Sequence, residues 1–146
     1  MKLSNLLASA ANAAVLPVLA IADTAENKAI AIEAANATLG AGNAGAVDQY
    51  FAPGYIQHNP DVPNGTDGLK GVITMLSAGG NFKADFVRVI ADDDMVVFHG
   101  RYEGFGPTPM IAFDVYRMED GLTVERWDVI APMPTADAQH NEAGKF

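Results

Sequence analysis

Residues 110–132 constrain this chain more than any other stretch. Two runs, M-I-A-F-D-V-Y-R-M and L-T-V-E-R-W-D-V-I-A-P, flank Glu119-Asp120-Gly121. Val124, Trp127, Val129 and Ile130 suit a pleated surface, and Pro132 ends pairing. A three-residue loop closing on Gly makes the two runs a β-hairpin. Strand side chains alternate between faces. Val124, Arg126, Asp128 and Ile130 therefore share one face, and Thr123, Glu125, Trp127 and Val129 the other. With Met118 facing Leu122, Asp114 falls opposite Arg126 and Phe113 opposite Trp127. That register predicts an ion pair on the Asp128 face and an aromatic pair behind it, each contributing roughly 0.2–1 kcal/mol. A slip of one residue would lose both. An Asp between Val124 and Ile130 is unfavourable on a half-buried face unless it is paired or used. Asp128 is thus the first candidate for chemistry.

Upstream, the pattern is helical. Asp23, with Glu26 three residues on, predicts a capped helix to about Leu39 that stops at Gly40. Asn43 predicts a second, short helix ended by Ala52-Pro53-Gly54. Tyr55, Ile56 and Gln57 form a short strand. Turns follow at Asn59-Pro60 and Pro63-Asn64-Gly65. Thr66 caps a third helix with Leu69, Val72, Ile73 and Leu76 at i, i+3, i+4, i+7 spacing, closed by Gly79-Gly80. Residues 81–91 and 95–102 read as strands around Asp92-Asp93-Asp94, a solvated turn rather than a calcium loop. Residues 104–109, with two glycines and two prolines, form either a lip over a cavity or a plain connector. Helices followed by antiparallel strands give an α+β fold, with the helices on one face of a curved sheet and a pocket between them.

At 146 residues, the chain makes one domain. A net charge of −9 argues against nucleic acid and anionic membrane surfaces as partners. Without cysteine there is no disulfide, thiolate metal site or Cys nucleophile. Residues 1–22 carry Lys2, a broken apolar run and Ala20-Ile21-Ala22 before Asp23, which reads as an export signal. It is too short and interrupted for a membrane span. The alternative is an Ala-rich helix of the fold itself. Export implies a secreted or periplasmic protein, and its absence a cytoplasmic one. Residues 23–135 form the domain, and residues 136–146 a loosely held tail.

Several pieces resemble the SnoaL-like polyketide cyclase branch of the nuclear-transport-factor-two-like superfamily. They are Tyr55-Ile56-Gln57-His58-Asn59-Pro60 with Gly65; Val89-Ile90-Ala91-Asp92 leading to His99; and Phe113-Asp114-Val115-Tyr116-Arg117-Met118 running into Glu125-Arg126-Trp127-Asp128-Val129-Ile130. The ending Asn141-Glu142-Ala143-Gly144-Lys145-Phe146 is similar too. The resemblance implies a cone-like α+β barrel with a deep pocket, often a homodimer through the outer sheet face. It implies proton abstraction next to a carbonyl and ring closure by aldol addition, with no metal or organic cofactor. Two positions depart from the family pattern: Arg126 stands where His is common, and Ala131 where Gln is. Guanidinium does not titrate in proteins, so Arg126 brings a permanent cation instead of an acid–base group.

The expected site follows. Asp128 is the candidate general base; the alternative is an Asp that holds loop amides or Arg126. His58, before a turn, polarises a carbonyl or shuttles a proton, or else bonds backbone. His99 shares the polarising role, or is a satisfied strand histidine. Asp114 pairs with Arg126 to shape the pocket wall, or Arg126 takes a substrate carboxylate in a two-pronged contact. Tyr55 and Tyr116 line the pocket. No metal-ligand spacing joins His58, His99, Asp114 and Asp128. The implied ligand is a small, largely apolar carbonyl compound. The implied protein is a cyclase or isomerase, a hydrolase in which Asp128 activates water, or a non-catalytic carrier or sensor.

Overall fold

A computed structural model of the chain describes residues 23–146; the export signal expected at 1–22 lies outside the described residues. Helix α1 (Thr24–Ala35) starts at Asp23, whose carboxylate accepts from Ala25 N at 3.0 Å. It continues as a π-helical turn over Asn36–Gly40. Asn43 caps a 3₁₀ turn, Ala44–Ala46, that leads into α2 (Val47–Tyr50). Strand β1 (Phe51–Gln57) follows at once. The Ala52-Pro53-Gly54 breaker therefore lies inside a strand. Pro53 is tolerated there because β1 is an edge strand and its pairing is interrupted between Phe51 and Ile56.

Helix α3 (Gly65–Ala78) has Asn64, not Thr66, at its cap position. The Asn64 side chain accepts from Gln57 N at 2.7 Å, tying the helix entry to the end of β1. Gly79 and Gly80 close α3, as its sequence predicts, with Gly80 at φ 67°. Strands β2 (Lys83–Asp92), β3 (Met95–Glu103), β4 (Met110–Glu119) and β5 (Leu122–Pro132) complete a curved, unclosed sheet in the order β1-β5-β4-β3-β2. β2 to β5 pair antiparallel, whereas β1 joins β5 in parallel. The fold is α+β. Among the described residues no helix is long and apolar enough to cross a membrane.

The core lies between the helices and the inner face of the sheet. Ala31, Ala34, Leu39, Leu69 and Ile73 meet Val96, Phe98, Tyr102, Tyr116 and Met118, all buried. Burial alternates cleanly along β3, with Val96, Phe98, Gly100 and Tyr102 inward. Each fully buried large apolar side chain contributes about 1.5–3 kcal/mol, so this face dominates the stability.

The β4–β5 hairpin departs from the expected register twice. The turn is the two-residue Asp120-Gly121, with φ of 50° and 75°, so Glu119 faces Leu122 and Met118 faces Thr123. A bulge between Arg117 and Met118 then shifts the pairing again, setting Arg117 opposite Glu125, Tyr116 opposite Arg126 and Asp114 opposite Asp128. Two single-residue shifts restore the original faces, so Asp114, Arg126 and Asp128 still point the same way. Before the bulge the faces are exchanged: Thr123, not Val124, is fully buried. The Phe113–Trp127 pair does not form; Phe113 stacks on His99 and Trp127 on His58. The tail returns to the outer face of the sheet, where the Phe146 ring stacks 5.0 Å from His99.

Candidate functional site

A cavity of about 440 Å³ opens between α3, the turn at residues 59–62 and the inner face of the sheet. Its walls are apolar: Leu39, Val72, Met75, Leu76, Phe82, Phe105, Met110 and Ile130. Its polar groups are Asn59, Asp61, Tyr102, Arg126 and Asp128. An apolar hollow with a few convergent polar groups is the usual form of a small-ligand site.

Two hydrogen-bonded chains converge on Asp128. The first crosses the sheet. Tyr102 OH donates a short bond to Asp114 Oδ2. Arg126 donates to Asp114 Oδ1 through Nε at 3.2 Å and Nη2 at 2.5 Å. The same Nη2 lies 3.2 Å from Asp128 Oδ2. The second chain descends from β1. Gln57 Nε2 donates to Tyr55 OH at 3.0 Å, and Gln57 Oε1 accepts from Asn59 N at 3.0 Å. Asn59 Oδ1 accepts from Asp61 N at 2.8 Å, which fixes the amide plane. Its Nδ2 then donates to Asp128 Oδ1 at 2.7 Å.

The electrostatics follow from burial. Arg126 is 5% exposed and Asp114 fully buried. Burial disfavours the Arg126 charge, but Asp114 foremost among its neighbours overcomes this and holds the guanidinium pKa well above its usual value. The Asp128 side chain is 3% exposed. Burial raises its pKa; Arg126 and the Asn59 hydrogen bond pull it back, while Asp114 and Asp61 add to the rise. Burial likewise pushes Tyr55 up to about 12 and raises Tyr102 and Tyr116. All three are phenols and not phenolates, and Tyr55 and Tyr102 use their hydroxyls in the hydrogen bonds above.

The structure thus brings Asp114, Arg126 and Asp128 together at the cavity. Tyr116 sits behind them, its ring centroid 6.0 Å from the guanidinium carbon, and Tyr55 couples to Arg126 and is linked to Asp128 through Gln57 and Asn59. The two histidines are elsewhere. His58 stacks on Trp127 at 4.4 Å and its Nε2 lies 2.9 Å from Glu125 Oε2. Glu125 is also gripped by Arg117 at 2.6 Å, on the side of the sheet away from the cavity. His99 occupies that side too, stacked on Phe113 at 4.4 Å with Nδ1 3.2 Å from Arg88 Nη1. Alternation explains both placements: His99 lies between inward Phe98 and Gly100, and Asn59, next to His58, takes the cavity position instead. Asn59, Asp61 and Tyr102 are the polar site residues that sequence reasoning passed over. Tyr102 was accessible from its spacing with Phe98, whereas Asn59 depends on contacts to Gln57 and Asp61. Among the described residues no three His, Cys, Asp or Glu side chains group as metal ligands.

Comparison with known proteins follows the same lines. The model of the SnoaL-like domain matches residues 32–126. No curated protein matches in sequence. Among solved structures, TsrD of Streptomyces laurentii superposes with a TM-score of 0.62 at 20% identity, covering 74% of this chain and 90% of that one. A candidate polyketide cyclase of Bacillus cereus gives 0.63 at 19% identity, over 72% of this chain and 74% of its own. Wild-type IdmH of Streptomyces antibioticus, also a candidate polyketide cyclase, gives 0.57 at 19% identity, over 70% and 91%. At these identities the likeness is one of fold.

Proposed function

The chain belongs to the SnoaL-like domain family, and on that premise we propose that it is an enzyme acting on a small, largely apolar carbonyl compound held in the cavity. The observation that carries the reading is Asp128: an almost fully buried carboxylate on an apolar cavity wall, its pKa raised toward the working range of a general base. Asp128 removes a proton from the carbon next to the carbonyl. The resulting enolate attacks a second carbonyl of the same ligand, forming a carbon–carbon bond, and the alkoxide takes the proton back. Returned to a different carbon, the same proton isomerises the ligand. Once Asp128 has taken the proton, Arg126 is opposed by Asp114 alone, and it is the group on the cavity wall placed to stabilise the developing oxyanion. The polarising role expected of His58 and His99 passes to it, because both rings lie on the other side of the sheet. The scheme uses no cofactor.

A carrier or sensor would use the same cavity without turnover. Asp128→Asn separates the readings. Native mass spectrometry of the purified protein identifies the bound compound, and that compound serves as the assay substrate. In an enzyme, the variant keeps affinity within a few-fold and loses turnover by about 10²–10⁴-fold. If the variant turns over like the parent, Asp128 is not the base; if neither turns over a tightly held ligand, the protein is a carrier. Export and dimerisation belong to the same proposal. The exposed Ile90, Phe113 and Val129 give the outer sheet face the apolar character of an interface, to be checked by sedimentation. Intact mass of exported protein checks cleavage after Ala22.

A further inference from the structure

The charges around Arg126 do not balance. The guanidinium directs Nε and Nη2 at Asp114, and Nη2 also meets Asp128. One fixed cation thus serves two carboxylates, both nearly devoid of solvent. A third carboxylate, Asp61, stands at the same cavity, and among the described residues no Lys or second Arg lines it. An anion entering this hollow would lose its hydration and meet excess negative charge, with Arg126 already paired. The two-pronged grip on a substrate carboxylate that Arg126 offers in principle is taken up by Asp114.

We infer that Asp114 sets the charge class of the ligand: by neutralising Arg126 it makes the cavity accept compounds uncharged at their buried end, ketones, aldehydes or esters, and turn away carboxylates. The inference rests on the cavity being the ligand site. Asp114 is a positioning residue here, acting through Arg126 and touching no ligand itself. Its partner Tyr102, which donates to the other Asp114 oxygen, holds that carboxylate in place.

The test uses two probes of nearly equal shape, 2-acetylnaphthalene and 2-naphthoate, titrated calorimetrically into the full-length protein at pH 7.5. The parent is expected to bind the ketone at least ten-fold more tightly than the carboxylate. Asp114→Asn, which leaves an acceptor for Arg126 but removes one negative charge, is expected to close that gap by ten-fold or more, chiefly by tightening naphthoate. Equal or tighter binding of naphthoate by the parent overturns the inference and leaves the ligand site standing. A folded Asp114→Asn variant with the parent's preference overturns the role of Asp114. Binding of neither probe overturns the reading of the cavity as a ligand site, and this inference with it. Should Asp114→Asn fail to fold, the parent's own preference and Asp128→Asn, which removes a carboxylate at the cavity wall, decide the matter: the naphthoate gap must narrow in the latter.

Discussion

Asp114 and Asp128 stand directly opposite each other on β4 and β5, and the Arg126 guanidinium reaches both. Two buried carboxylates side by side are tolerable only because that cation is shared. Arg126→Met is expected to destabilise the fold by about 3–5 kcal/mol, since it strands Asp114 in the core. Arg126→Lys should recover only part of the loss, because a point charge cannot reproduce the Nε and Nη2 contacts. Denaturant midpoints at constant m-value measure both; a loss below about 0.5 kcal/mol for the Met variant would contradict the shared-cation account.

The Asn59 bond to Asp128 favours the ionised carboxylate. Asn59→Ala removes it, so the Asp128 pKa should climb further. Carbon-13 NMR of the side-chain carboxyls should show this titration move to higher pH, and the acid limb of any turnover profile should move with it. An unmoved titration would mean that the amide does not hold the carboxylate in solution.

Asp128 also links stability to pH. Its folded pKa lies above that of an exposed carboxylate, so the folded state holds this proton more tightly than the unfolded one. The stabilisation is present below the unfolded-state pKa and is lost as pH rises through the folded pKa. Asp128→Asn is expected to lose that dependence, so its stability relative to the parent should improve from acid to neutral pH. A difference independent of pH would mean that burial does not perturb Asp128.

At the alkaline end, Tyr55, Tyr102 and Tyr116 stay protonated past the ordinary phenol range, with Tyr55 raised to about 12. Each stabilises the fold fully below the unfolded phenol pKa and ceases to do so as pH rises through its folded value. Ultraviolet titration should show these phenolates appearing together with unfolding. Three normal phenols in the native protein would show that the ring hydroxyls are wet.

Gly121 adopts φ 75° in the hairpin turn. Gly121→Ala is expected to destabilise by about 1–2 kcal/mol through the left-handed backbone alone, since an added Cβ would meet only Ile30 Cδ1 at 3.7 Å. Gly71 on α3 has open space around it. Gly71→Ala should therefore do the reverse, stabilising by roughly 0.5–1 kcal/mol. Thermal melts of the pair separate backbone strain from side-chain clash.

The fold was legible because apolar spacing in α3 and alternation in β3 to β5 are strong, and the helices-then-strands order leaves few architectures. Which residues share a face was legible as well from Glu125 onward, whereas Thr123 and Val124 were exchanged by the bulge. Asp114, Arg126 and Asp128 could be grouped on alternation although their pairing was misjudged, because face survives an even displacement and register does not. The parallel β1 was hidden by Pro53 and Gly54, which read as a breaker until the strand is known to be an edge. The histidines were drawn toward the site by resemblance, while their own strand neighbours pointed the other way. Asn59 was legible only as a turn residue: its bonds to Gln57 and Asp61 are local, but its aim at Asp128 exists only once β1 has docked on β5.

The bulge decides where the hairpin can change length. Val124 is the residue left without a partner opposite it, so its removal alone would run Thr123, Glu125 and Arg126 on in plain alternation with the guanidinium still aimed inward. One residue added between Arg126 and Asp128 would instead set the cation and the carboxylate on opposite faces, and should abolish ligand capture where the deletion spares it.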